Sequence, residues 1–130
     1  MADSAYTHKN IGEVEDSAPG FGFGEMGEVR FAKDAFDAER TGFTHIKLNP
    51  GQRMPFGHKH DEAEEVYVVI AGSGRVKIDE EIVDVVELDA IRMSPPVGRG
   101  FEAGPEGVSI LAFGPRHDGD GEVLQDWWVD

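Results

Sequence analysis

Between residues 43 and 113 the chain is a succession of short runs rich in Val, Ile and Phe, each closed by Gly, Pro, Asn or Asp. The runs fall at 43–48, 57–60, 65–71, 75–78, 82–86, 90–93, 99–103 and 108–113, with one more at 29–32. None is long enough for an ordinary helix. Turn signals at this even spacing point to many antiparallel strands folded as a sandwich or barrel. Composition agrees: Val and Ile together number 20 and Leu only 4, beside 17 Gly and 7 Pro. Amphipathic helices draw on Leu, and this chain has little to give them. One or two helical turns are expected at 33–40. Turns are expected at 72–74 and 104–107, and a hairpin across 79–81.

A chain of 130 residues holds one core. The expected organisation is an irregular, glycine-rich arm at 1–28, a β-barrel at 29–116 and a tail at 117–130 pinned by Trp127 and Trp128. With no cysteine, disulfides, thiolate metal sites and cysteine nucleophiles are excluded. Twelve basic against 26 acidic residues give a net charge of −14. That charge speaks against general binding of nucleic acid or an anionic membrane. No apolar run reaches the ~20 residues that span a bilayer, and the start, MADSAYTHKN, lacks the pattern of a secretory signal. The expectation is an acidic cytoplasmic protein. Gly22, Gly24 and Gly27 spell G-x-G-x-x-G, but no apolar strand precedes them and no helix follows, so a dinucleotide site is rejected.

Two runs, 66–70 and 108–113, are apolar on both faces apart from Ser109. A strand with one face in water should alternate. Val66, Val68 and Ile70 therefore need cover from outside the barrel, and a homodimer is the expected cover, with the arm as its rival.

The chemistry concentrates in residues 51–65. His58 and His60, two apart on a strand, point to one face. A four-residue connection brings Glu65 back beside them on the next strand. Two imidazoles and one carboxylate suit a divalent metal, with positions left open for water or substrate. Met54 and Phe56 share the parity of the histidines and would form an apolar wall. Tyr67 shares the parity of Glu65 and either lines the pocket or serves the core. Alone, H-x-H arises often by chance. His45 is read as a structural or surface residue, and His8 and His117 as solvated.

The flanking pattern adds weight. Gly51, the pair His58 and His60, Glu65 after four residues and Gly72 after six more resemble the first motif of the cupin superfamily, with one extra residue between Gly51 and His58. Residues 88–99, LDAIRMSPPVGR, resemble the second. The likeness covers about residues 43–113 and extends to small single-domain bacterial cupins of unsettled function. It implies an all-β fold, the cupin-type double-stranded β-helix or jelly-roll-like barrel, often dimeric. It also implies a metal held by His58, His60 and Glu65; zinc, manganese, iron or nickel suit those ligands. The fourth ligand position of the family falls on Arg99, which cannot bind a metal, and its later asparagine position falls on Ala103. Gly98 and Gly100 around Arg99 suggest a pliant strand start.

The leading expectation is a small-molecule-binding cupin with this metal site. Arg99 would orient a substrate carboxylate, and Tyr67, Phe56 and Met54 would line the pocket. Whether it is an enzyme stays open. The alternatives are a metal-free ligand-binding or sensing barrel, in which Arg99 pairs with Glu65 in place of the metal, and a dimeric scaffold without catalysis.

Overall fold

A computed structural model describes residues 5–115 and 119–129. The described residues form eight strands: β1 (Gly27–Phe31), β2 (Thr41–Leu48), β3 (Gly57–His60), β4 (Glu65–Ile78), β5 (Glu81–Val86), β6 (Ala90–Met93), β7 (Arg99–Pro115) and β8 (Gly121–Leu124). All pairings are antiparallel, and the sheet runs β1-β2-β7-β3-β8, with β4 joining β7 to β5 and β6. The curled sheet encloses one core built on Leu48, Tyr67, Val69, Val76, Met93, Phe101 and Ile110, each at most 2% exposed. Burying side chains of this size contributes roughly 1.5–3 kcal/mol each.

The turns expected at 72–74 and 104–107 do not end strands. They are bends within β4 and β7, the two longest strands, which pair along most of their length. The register slips between Val69 and Ala71 and again between Gly72 and Gly74. An irregularity of this kind swaps the faces of a strand. Before it, Tyr67 and Val69 are buried; after it, Val76 is. The partner does the same, burying Phe101 and Ala103 first and Val108, Ile110 and Ala112 afterwards. Gly72 and Gly107 make the corner. Both have φ near +80°, and a Cβ on Gly72 would lie 2.1 Å from the Gly107 carbonyl oxygen. Only glycine fits such a crossing.

Two further expectations need correction. Residues 33–37 form turns, not a helix: the bonds Phe36 N–H to Ala32 O and Ala38 N–H to Lys33 O are not continued, and Asp37 has φ 55°. The described helical pieces are 3-10 turns of three residues, Ile11–Glu13 and Pro19–Phe21. Nor are Gly98 and Gly100 a pliant strand start. With Gly57 they form the seat of Trp127: a Cβ on any of the three would come within 2.8 Å of the indole. Lys77 stacks on the same ring at 4.3 Å and donates to the Trp127 carbonyl. Trp128 donates its indole N–H to the Met54 carbonyl at 2.8 Å and carries Arg53 on its ring. Ahead of this anchor, part of the segment expected as tail is strand β8, which pairs with β3 over its whole length.

Candidate metal centre

His58 and His60 lie on β3, Glu65 and Tyr67 on β4, and Arg99 opens β7 directly opposite His58. The alternation of β3 turns both imidazoles inward. The connection 61–64 is held in shape by Asp120, just before β8. One carboxylate oxygen of Asp120 accepts the N–H groups of Asp61 (2.9 Å) and Glu62 (2.8 Å), and the other accepts that of Ala63 (3.0 Å). Burial would raise the Asp120 pKa, but these three backbone donors outweigh it and keep the carboxyl below its ordinary range. The second oxygen also lies 3.3 Å from His60 Nδ1, a distance for charge pairing though not an aligned hydrogen bond. A carboxylate there favours a proton on Nδ1 and leaves Nε2 as the ligand atom.

The ligand atoms of His58, His60 and Glu65 lie within 4.8 Å of one another. Glu65 Oε1 is 3.5 Å from His58 Nε2 and 3.3 Å from His60 Nε2. Two donors bound to one ion at about 2.1 Å stand roughly 3.0–3.4 Å apart for bond angles from square to tetrahedral. The two Glu65–histidine distances lie at or near that range, and the donor types suit a first-row divalent metal.

The same Glu65 oxygen accepts the Tyr67 hydroxyl at 2.6 Å. Burial would raise the Glu65 pKa, yet the contacts with His58 and Tyr67 and the charges of the two histidines bring it down to about 2. Glu65 is thus a carboxylate at neutral pH. Burial, the Glu65 charge and the bond to it hold the Tyr67 phenol well above its ordinary range, so it stays a donor. Tyr67 is 2% exposed and packs against Phe101 at 5.1 Å with the rings tilted by 53°, so it serves both core and site.

Arg99 is fully buried. Its Nη2 reaches Glu65 Oε1 at 4.0 Å, and Nη1 donates to the His58 carbonyl at 3.5 Å. Nε and Nη2 have no hydrogen-bond partner among the described residues. A guanidinium so placed is desolvated with little compensation. Beside the centre opens a cavity of about 300 Å³ lined by His60 and Glu65 but not by Arg99. The guanidinium therefore stands behind the centre, away from the cavity. Met54 packs against the core cluster, and Phe56 packs against Phe23 of the N-terminal segment at 5.6 Å with the rings tilted. Neither is among the cavity-lining residues.

The remaining histidines stand elsewhere. His45 Nε2 pairs with Ser109 Oγ at 2.7 Å, and burial lowers its pKa. His8 is exposed. His117 lies outside the described residues. Sequence reasoning missed Asp120 and Lys33, the latter also lining the cavity. Asp120 stands in the run Asp118-Gly119-Asp120-Gly121, which reads only as a turn.

No family model and no curated protein matches the chain. Solved structures do. A cupin protein from Bacteroides fragilis superposes with a TM-score of 0.71 at 19% identity, over 98% of each chain. A sugar phosphate isomerase of the cupin superfamily from Silicibacter pomeroyi gives 0.70 at 15% identity, over 92% of each chain. An oxalate decarboxylase variant from Bacillus subtilis gives 0.74 at 21% identity; the match covers 93% of this chain and 33% of that one. This chain has the cupin fold, as the motif around His58 implies.

Proposed function

We propose that this protein is a small-molecule-binding cupin barrel that holds one divalent metal ion on His58, His60 and Glu65. The observation that carries the reading is the convergence of His58, His60 and Glu65, with ligand atoms within 4.8 Å of one another and Glu65 Oε1 at 3.5 and 3.3 Å from the two Nε2 atoms. When bound, the metal would supply Lewis acidity, or a site for oxygen chemistry. The chain itself keeps Glu65 ionised, orients His60 through Asp120 and shields the far side with Arg99. Reactions as different as decarboxylation and sugar phosphate isomerisation are named for structures of this fold, so the fold does not choose among them. The test is elemental analysis of untagged protein, followed by calorimetric titration with zinc, manganese, iron(II) and nickel. About one equivalent lost in His58→Ala supports the reading; no binding of any of the four overturns it.

One observation favours a second reading. Arg99 stands 4.0 Å from Glu65 and is sealed from solvent, where it can serve as a built-in cation for a metal-free binding barrel. The same titration separates the two.

The assembly we propose is a homodimer through the outer face of β4 and β7. Val66 and Val68 lie in register with Phe113 and Leu111, and Ile70 and Phe113 are 41% and 39% exposed. The patch is continuous and apolar, as an isologous interface requires. Light scattering at twice 14.2 kDa supports it, and a single 14.2 kDa particle at micromolar concentration overturns it.

A further inference from the structure

The cavity beside the centre carries an imbalance of charge. Its lining includes Phe31, Lys33, Thr44, His60, Glu65 and Asp120. The two carboxylates are already engaged. Asp120 takes three backbone N–H groups and faces His60, while Glu65 takes the Tyr67 hydroxyl and faces two imidazoles and Arg99. Lys33 is different. Its side chain is only 19% exposed, and its one ion pair among the described residues is with Asp34 at 3.8 Å. Asp34 is 89% exposed and points its charge to water, where such a pair holds little. A cavity-lining lysine, mostly buried and with one weak exposed partner, has charge to offer a mobile anion.

The cavity favours a small molecule. Its ~300 Å³ holds about ten water-sized volumes of roughly 30 Å³ each. Phe31, 54% exposed, gives the mouth an apolar edge beside Lys33. His60 and Glu65 are the two metal-centre residues that reach this space, so open positions on a bound ion would face it.

We infer that the cavity binds a small organic anion, its carboxylate or phosphate paired with Lys33 Nζ and its other end directed at His60 and Glu65. This rests on the reading of the barrel as a metal-centred binding site and adds the class of ligand. Lys33, and not the buried Arg99, is then the residue that selects for charge. The net charge of −14 repels anions at long range. Selection must therefore be local, set by contacts inside the cavity, since charges farther off than a Debye length of ~8 Å are largely screened.

Three probes with one aromatic body test this: benzoate, phenyl phosphate and neutral benzamide. Each is titrated by nitrogen–proton correlation NMR into the metal-free and the zinc-loaded protein. At least one anion is expected to bind about tenfold more tightly than benzamide, with shifts at Lys33 and Glu65. Which anion is preferred names the group. Lys33→Gln should abolish that preference, and Lys33→Arg should keep it. Both variants should still bind zinc, Lys33→Arg with the parent's affinity and Lys33→Gln no more weakly, because Lys33 is not among the residues that hold the ion and its charge only opposes it. Equal binding of benzamide, an unchanged preference in Lys33→Gln, or no binding of any probe at about 10 mM overturns the proposal. Failure of the metal reading looks different: zinc does not bind, while the Lys33-dependent preference persists in the metal-free protein.

Discussion

Replacing Arg99 by Met should strengthen metal binding by a hundredfold or more. Met keeps most of the buried stem and removes the charge. Arg99 Nη2 is 4.0 Å from Glu65 Oε1. An ion bonded to that oxygen stands about 2.1 Å from it, so guanidinium and metal can be separated by no more than about 6 Å. A single and a double positive charge at that distance repel by about 5 kcal/mol at an effective dielectric of 20, and by about 3 kcal/mol at 40. The smaller figure is already two orders of magnitude in Kd. Freeing Glu65 from the competing cation acts in the same direction. Stability should not suffer, because two of the three guanidinium nitrogens lack hydrogen-bond partners among the described residues and replacing a poorly paired buried charge with an apolar chain is often neutral or favourable. The assay is calorimetric titration of parent and Arg99→Met with zinc, next to urea denaturation of both. A Kd unchanged within threefold in a folded variant would refute the reasoning: the charge would then be compensated in a way these distances do not capture.

Asp120→Asn keeps an acceptor for the N–H groups of Asp61 and Glu62, loses the one for Ala63 and removes the charge facing His60; zinc affinity should fall ten- to a hundredfold, read by the same titration. Gly72→Ala should destabilise by more than about 2 kcal/mol in urea, because it adds the left-handed penalty to a clash with the Gly107 carbonyl; a loss under 0.5 kcal/mol, on the order of an ordinary surface change, would rule out the corner as described. Asp16, Glu65, Glu102 and Asp120 all have folded-state pKa values below their ordinary 3.8 or 4.5. The folded chain thus binds fewer protons than the unfolded one in acid. The stability these groups contribute is complete above the ordinary values and is lost as pH falls from there toward 2, and the acid limb of a thermal melt series should be shallower in Asp120→Asn.

The strand pattern and the first-motif ligands were legible because both follow from local rules. Period-two alternation sends His58 and His60 to one side, and a four-residue connection returns Glu65 beside them, whatever the rest of the chain does. The hairpin at Asp79 and the parity that puts Tyr67 on the face of Glu65 follow in the same way, whereas the place of Arg99 was implied by the likeness of residues 88–99 to the second motif. What local rules do not carry is whether a glycine-rich stretch ends a strand or bends it. Gly72-Ser73-Gly74 and Gly104 to Gly107 have turn composition in either case. The outcome depends on two stretches, about 35 residues apart, crossing closely enough that one Cβ would block them.

The roles of Asp120, Trp127 and Lys33 belong to the same class. Asp120 acts on residues 57–60 positions earlier in the chain, Trp127 on glycines at 57, 98 and 100, and Lys33 on a space whose far wall is β3 and β4. Composition and periodicity carry the identity of the sheet and the ligand types, because each residue's face is set by its neighbours in sequence. Which carboxylate orients a ligand, which cation stays without a strong partner and which wall opens to solvent are set by contacts between segments far apart in the chain. Only the folded structure brings those segments together.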